Sequence, residues 1–410
     1  MRLLVVTQYF WPETFIINDL VKCLVRNGHE VTILTGKPNY PDGKIHEGYE
    51  QSGIKHEVFD DAVDVIRVPL RPRAEGGGKN LILNYLSFVF SGLFYFPRLV
   101  KKRKFDVIFV FAPSPIVAAI PAVLLKILYR KHLVIWVQDL WPDSLSATGF
   151  VRNPLLLKIV GWLVRGIYAF ANTLLIQSNA FRTPMLNYTS NEKIIYYPNS
   201  IDTTPIISRD DAPLPCELLE VLENNVCVVF AGNIGKAQAV DTIVEAALLL
   251  RDLPTLKLVI VGSGSMLEWM QQQKSEHKLD NLVFAGRFPM SMMPKIYSHA
   301  SALLVTLKNE EIFSFTIPSK VQAYLAAGKP IIAALNGEGA RVVAEAKAGL
   351  ICPAENAPLL AQTIRNLYAM PSSERAKMGA AGKAYFSEYF EMNQQAKRLI
   401  EIIESRLTRT

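Results

Sequence analysis

No Asp-x-Asp triplet occurs among the 410 residues, so the carboxylate pair that most simply holds a divalent metal against a diphosphate is lacking. Histidine is sparse, and the six residues at 29, 46, 56, 132, 277 and 299 share no ligand spacing. The four cysteines, Cys23, Cys216, Cys227 and Cys352, lie far apart without a C-x-x-C pair, which leaves them as reduced core residues rather than a zinc or redox centre. P-loop lysine motifs, G-x-S-x-G elbows and nucleic-acid modules are missing too, as is any repeat of about 20 to 50 residues. The first apolar run, at 3–6, passes at once into Thr7-Gln8-Tyr9 and is too short for a signal peptide, which predicts a cytoplasmic protein. These absences predict no metal, no cofactor and no nucleic-acid partner.

What is present is apolar and basic. Half the residues are hydrophobic, more than one compact core accommodates at this length, and the net charge of +7 favours anionic partners. Short β-rich runs alternate with helical stretches, the pattern of parallel sheets with crossover helices. Strands are expected at 3–6, 31–34, 63–68, 107–111, 134–137 and 174–176, then at 227–230, 258–261, 282–284, 302–305, 331–333 and 350–352. This α/β pattern predicts two doubly wound parallel-sheet domains, at 1–198 and 199–382, with a site in a cleft between them. A polar stretch from Tyr197 through the acidic, proline-bearing 209–215 reads as the hinge. A last helix at 384–406, within a C-terminal segment 383–410, is expected to pack back on the first domain. The segment 81–100 is long enough to span a bilayer and is followed by Lys101-Lys102-Arg103-Lys104, but Asn80, Asn84, Ser87 and Ser91 recur on one face and Pro97 interrupts it. Two readings fit it: a helix in the membrane interface, or a buried crossover helix with a solvated basic end.

Chemistry concentrates where strands turn into helices. In the segment 317–330, Pro318-Ser319 starts a helix that Gly328 stops. Lys320 falls in its first turn, where a cation opposes the helix dipole unless an anion is bound there, so a diphosphate grip or an ordinary surface lysine are the two readings. A second turn supplies Gly232, Asn233, Gly235, Lys236 and Gln238, and a third supplies Gly262-Ser263-Gly264. Arg287 beside Phe288 is another cation at a strand end, and Glu311 could accept hydrogen bonds from sugar or ribose hydroxyls. In the first half, Gln138, Asp139, Trp141 and Asp143 cluster after a strand, where Asp139 could orient an acceptor hydroxyl or cap a helix. Glu13-Thr14 and Asn39-Tyr40 lie on the neighbouring turns.

The ordered set Arg26-Asn27-Gly28-His29-Glu30-Val31, Pro38-Asn39-Tyr40-Pro41, Val137-Gln138-Asp139, Pro198-Asn199, Ala231 to Gly235, Gly262-Ser263-Gly264 and Pro318-Ser319-Lys320 through Gly328-Lys329-Pro330 resembles glycosyltransferase family 4 along nearly the whole chain. Within it, the sequence is most similar to bacterial O-antigen, capsule and colanic-acid sugar transferases, especially L-fucosamine transferases. The resemblance implies a GT-B architecture of two facing Rossmann-like domains, metal-free transfer with retention at the anomeric carbon, and a UDP-sugar donor, with N-acetyl-L-fucosamine as one candidate sugar. It further implies a polyprenyl-diphosphate-linked acceptor at the inner face of the cytoplasmic membrane. Asp139 and Lys320 are the catalytic candidates. Three departures stand out: the family's arginine and lysine of the first C-terminal loop fall on Asn233 and Gln238, the glutamates of its E-x7-E motif on Phe315 and Ala323, and its histidine on Gln138. A nucleotide-sugar epimerase or a non-catalytic membrane scaffold are the alternative readings.

Overall fold

A continuous apolar run can be buried on both faces only where strands flank it and helices cover it above and below. This chain arranges its runs so in two separate sheets. The computed structural model describes residues 1–74, 77–147, 151, 153–202 and 213–408. It divides into two units, Met1–Asn199 with Met392–Thr410, and Ser200–Glu391.

Among the described residues, the first unit holds β1 (Arg2–Val6), β2 (Glu30–Gly36), β3 (Lys55–Phe59), β4 (Val63–Val68), β5 (Val107–Ala112), β6 (His132–Val137), β7 (Thr173–Ile176) and β8 (Ile194–Tyr196). They form one sheet in the order β3-β4-β2-β1-β5-β6-β7-β8, parallel throughout except for β3 against β4. The expected strands are present, and β3 and β8 are additional. Both are edges: β3, KHEVF, alternates more and less exposed residues, and β8 is only three residues long, so neither shows the continuous apolar run of a central strand.

Side-chain alternation divides the core. Leu3, Val5, Ile33, Phe109 and Trp136 pack with helices Ile16–Arg26 and Met392–Leu407. The intervening Leu4, Val6, Ile108, Val110 and Ile135 point the other way, where helices Gly78–Val100 and Ile120–Tyr129 lie on β4, β5 and β6. Helix Gly78–Val100 runs through Pro97 without stopping, so the expected interruption is corrected. It approaches Ile120–Tyr129 so closely that a Cβ at Gly92 would stand 2.6 Å from the Pro121 ring.

Arg67 is fully enclosed in this unit. The Arg67 guanidinium on β4 donates to Glu57 on β3, to the Gly36 carbonyl at 3.1 Å and to the Trp11 carbonyl. It thereby ties the turns after β1 and β2 to the sheet edge.

The second unit holds β9 (Val226–Asn233), β10 (Leu256–Ser263), β11 (Leu282–Gly286), β12 (Ala302–Thr306), β13 (Ile331–Ala334) and β14 (Gly349–Cys352). Their order is β11-β10-β9-β12-β13-β14, all parallel. The chain passes between units at Asn199/Ser200 rather than after residue 198, and of the expected hinge from Tyr197 to 215, residues 203–212 lie outside the described residues. The expected terminal helix at 384–406 is two helices, Ser372–Tyr389 and Met392–Leu407, separated at Phe390-Glu391. The return to the first unit therefore begins at Met392, not at 383. Cys23, Cys227 and Cys352 are buried as expected, whereas Cys216 is exposed at the start of helix Cys216–Asn224.

Candidate active site

In each sheet the strand order reverses beside one central strand: β1 has β2 on one side and β5 on the other, and β9 has β10 and β12. Loops leaving such a switch point part to opposite faces and open a crevice at the carboxyl ends. The glycine turns occupy that place in the second unit. β9 and β10 stay in register to their last residues, with Gly232 opposite Gly262 and Asn233 opposite Ser263. At Gly262, φ is +138° and a Cβ would lie 1.9 Å from the Gly232 carbonyl oxygen. Only glycine lets the two strand ends close up, which leaves a floor of bare backbone. Gly262→Ala should force the ends apart and lower the melting temperature, which a thermal melt checks.

Lys320 lies over this floor. Helix Ser319–Ala327 starts with Pro318 at its cap and no side chain bonding its first amides. Tyr324, one turn on, holds the helix to β9 by accepting from the Ala231 amide at 3.0 Å. The Lys320 side chain then runs back across Gly232, where a Cβ would meet its Cε at 2.7 Å. Its ammonium rests 3.7 Å from the centre of the Phe230 ring and donates to Gln238 Oε1 at 2.8 Å. Among the described residues no carboxylate pairs with it. Burial lowers its pKa to about 7. A cation in this setting is short of a counter-charge, and a diphosphate at the helix start would supply one.

The other donor-side candidates are placed differently. Asn233 is exposed beside Gly235, while Gly264 packs against the Ile234 backbone and continues the floor. Gln238, which stands where the family has lysine, accepts a hydrogen bond from Lys320 through its side-chain oxygen while its backbone carbonyl accepts from Thr306 Oγ1 at the end of β12. Lys236 and Arg287 are exposed, and neither is among the contacts of Lys320. Phe288 is half-buried against the core. Ser319 is exposed at the helix start, and Glu311 is exposed in the first turn of the short helix Glu311–Ser314.

In the first unit, the turns after β1, β2 and β6 and the start of helix Gly78–Val100 meet in a polar rim. Glu13, expected on the acceptor side, is instead buried, and its carboxylate accepts from the backbone amides of Asn39 and Tyr40, both at 2.8 Å, and of Phe10 at 3.2 Å. Burial pushes its pKa up although these amides pull it back. It braces the loop and is not free to hold an acceptor. Asn39 is likewise enclosed, its side-chain oxygen accepting from Asn84, which in turn accepts from Gln8 at 2.8 Å. Tyr40 and Thr14 are exposed.

Asp139 is half-buried and accepts from the Trp141 indole at 3.2 Å, so the candidate carboxylate and the candidate stacking ring form one unit. Gln138 is half-buried, its amide nitrogen without a hydrogen-bond partner among the described residues. Asp143 is exposed in the first turn of helix Asp143–Ala147. Sequence reading missed Arg73. Its guanidinium is ringed by Tyr40 at 5.1 Å, Tyr9 at 5.4 Å and Tyr85 at 5.9 Å, donates to the Tyr85 hydroxyl, and has no partner for its Nε among the described residues. Both Arg73 and Asp139 act electrostatically on Tyr85, which places the cation and the carboxylate on the same rim. The signal was thin: one arginine in a loop, with its tyrosines scattered at 9, 40 and 85.

Comparison with known proteins agrees with this geometry. A family profile described as "Glycosyl transferases group 1" matches residues 204–385, and one described as "Glycosyl transferase 4-like domain" matches 15–200. An Escherichia coli (strain K12) protein that carries the name of a colanic acid biosynthesis glycosyl transferase, WcaI, is 24% identical over 345 residues, 80% of this chain and 82% of that one. A Pseudomonas aeruginosa protein that carries the name of a glycosyltransferase, WbjE, is 22% identical over 329 residues, 78% of this chain and 80% of that one. Among solved structures, Anabaena HepE in complex with UDP superposes with a TM-score of 0.69 at 15% identity, covering 99% of this chain and 100% of that one. The Thermosynechococcus elongatus sucrose-phosphate synthase gives 0.67 at 14%, covering 100% and 99%. With two matched profiles that between them take in both units, and two parallel-sheet α/β units of the same fold, the chain belongs to glycosyltransferase family 4 and is a sugar transferase of the GT-B class.

Proposed function

We propose that this transferase moves a sugar from a UDP-sugar to a polyprenyl-diphosphate-linked saccharide during assembly of a bacterial surface polysaccharide, with retention at the anomeric carbon. The observation that carries the reading is Lys320: a largely buried ammonium without a carboxylate partner among the described residues, at a helix start, over a floor of glycine backbone. Support for the nucleotide comes from the UDP seen in Anabaena HepE, and for the pathway from the colanic-acid name of the Escherichia coli relative. N-acetyl-L-fucosamine is one candidate sugar.

In the reaction, the bond between the anomeric carbon and the diphosphate oxygen breaks, and its electron pair leaves with UDP. The acceptor hydroxyl oxygen bonds to the same carbon from the leaving-group side, and its proton passes to the departing phosphate oxygen. Lys320 and the first amides of its helix stabilise the charge that develops on that oxygen, a contribution of several kcal/mol for fixed donors in a dry site. Asp139, steadied by Trp141, orients the acceptor hydroxyl without having to take its proton. Arg73 gives the same rim a cation for the acceptor's anionic part.

A screen of UDP-sugars against polyprenyl-diphosphate-linked saccharides, reading UDP release and product mass, tests the proposal. Conversion of the sugar with no acceptor present would replace it by an epimerase, and absence of UDP release from every pair would replace it by a scaffold. Asp139→Asn can keep its bond to Trp141, and should leave UDP affinity unchanged while lowering transfer about ten- to a hundredfold. An unaltered rate would reduce Asp139 to a brace for the indole.

A further inference from the structure

The first unit shows a surface inverted relative to an ordinary amphipathic layer. Helix Gly78–Val100 turns Asn84 inward, where it bonds Gln8, Asn39 and the Arg71 carbonyl, and Ser87 bonds back to the Arg71 amide. Outward, at intervals of four residues, it presents Ile82, Leu86, Phe90 and Phe94, with Phe90 66% exposed. Helix Ile120–Tyr129, which packs beside it and is tied to it by Tyr129 donating to the Pro97 carbonyl, exposes Ile127 and Leu128. Helix Pro154–Phe170 packs next in the row and exposes Leu155, Leu156, Ile159 and Trp162, the indole being 71% exposed. Lys126 joins the last two by bonding Asn172 at 2.6 Å just beyond that helix. Three adjacent helices thus offer one continuous apolar face, larger than the scattered apolar side chains of an ordinary surface.

Charge identifies what covers it. Segments 78–104, 120–132 and 153–171 carry eleven lysines and arginines and no aspartate or glutamate, so the rest of the chain, taken together, is net negative against the overall +7. Lys101, Lys102, Lys104, Arg130, Lys158 and Arg165 are exposed. Beside them a shallow depression of about 460 Å³ is lined by Lys126, Arg130 and Lys131 together with Ile127, Phe170 and Leu407, cations around an apolar floor. A second copy of the same face would meet it with like charge, whereas an anionic surface meets it with opposite charge.

We propose that this three-helix face docks on an anionic lipid bilayer, Phe90, Phe94 and Trp162 entering the interface while Lys101, Lys102 and Lys104 meet the headgroups. Tryptophan is the side chain best suited to that boundary, and each lysine near an anionic surface adds about fivefold to binding. Helix Gly78–Val100 is long and apolar enough to cross a bilayer, but a third of its most apolar window is buried in the protein, and it packs on the sheet and on helix Ile120–Tyr129. The proposal is independent of the transfer reaction, since it would hold for a chain that bound no sugar.

The test is flotation of the full chain with vesicles of phosphatidylcholine alone and of phosphatidylcholine with phosphatidylglycerol. The protein should float with the anionic vesicles and lose binding as salt is raised. The pair Phe90→Glu and Trp162→Glu should weaken it at least tenfold, and Lys101→Ala with Lys102→Ala and Lys104→Ala about a hundredfold. All five side chains are exposed, so an unchanged thermal melt confirms folding without reference to UDP, and a failure of the donor reading leaves this test intact. Binding to neither vesicle, equal binding to both, or a dimer in solution that Trp162→Glu dissolves would each overturn the proposal.

Discussion

Lys320→Met is expected to weaken UDP binding by about ten- to a hundredfold and at the same time to raise the melting temperature of the unliganded protein. The two effects have one cause. The ammonium is withdrawn from water over the Phe230 ring with the neutral Gln238 to accept its hydrogen bond, and burial lowers its pKa to about 7 against 10.5 for an ordinary lysine. Holding that charge at neutral pH costs folding on the order of a few kcal/mol, reduced by whatever water still reaches it. The sign follows from proton counting: between pH 7 and 10.5 the unfolded chain binds the proton that the folded chain has released, so stability from this group rises with pH across that window. Methionine removes the penalty, and a gain of a few degrees follows near pH 7. A charged hydrogen bond to the diphosphate is worth roughly 1.5–3 kcal/mol, and its loss sets the drop in affinity. Turnover should fall further than affinity, about a hundred- to a thousandfold, because the charge on the departing UDP is greatest in the transition state. Calorimetry, a thermal melt and initial rates on the same variant separate the three.

Arg67→Met is expected to destabilise the first unit by about 3–5 kcal/mol, the largest stability effect anticipated for a single change outside the apolar core. Arg67 is wholly enclosed, and its removal leaves Glu57, which is nearly buried, with a charge and no close cation except Lys55 at 3.8 Å. It also strips the donors from the Gly36 and Trp11 carbonyls, which lie on the two turns that lead to Tyr9, Asn39 and Tyr40. Replacing Glu57 and Arg67 together by methionine should recover much of the loss, since an apolar pair carries no unpaired charge. A double-mutant cycle by chemical denaturation measures it. UDP affinity, which the proposal assigns to the other unit, should be the same in all four proteins, and a change there would show that the effect is not confined to the turns.

The strands that form both sheet centres were legible because burial on two faces demands an unbroken apolar run, and such runs are visible without any partner. β3 and β8 were not, because an edge needs only alternation or a few residues. Lys320 was legible as a cation at the wrong end of a helix. That Phe230 would lie under it and Gln238 would accept from it depends on contacts across 90 and 82 positions, which no local pattern carries. The same limit hid Arg73, whose tyrosines come from three separate segments. Glu13 misled for the opposite reason: a carboxylate beside a threonine in a strand-end turn looks available, and only the fold shows three backbone amides already on it. The apolar face was half visible, since helix Gly78–Val100 announced itself by length, while Pro154–Phe170 reads as an ordinary crossover helix until its tryptophan is seen outside.

The most direct test of the central claim, that Lys320 grips the diphosphate, is the proton balance of UDP binding at pH 8, obtained by titration calorimetry in buffers of different ionisation enthalpy. With a pKa of about 7 in the empty site, Lys320 is mostly neutral at that pH and must take up a proton to meet the anion. The account predicts uptake on the order of one proton per UDP, lost in Lys320→Met. Tight UDP binding with no proton uptake, or uptake that persists in Lys320→Met, would contradict it.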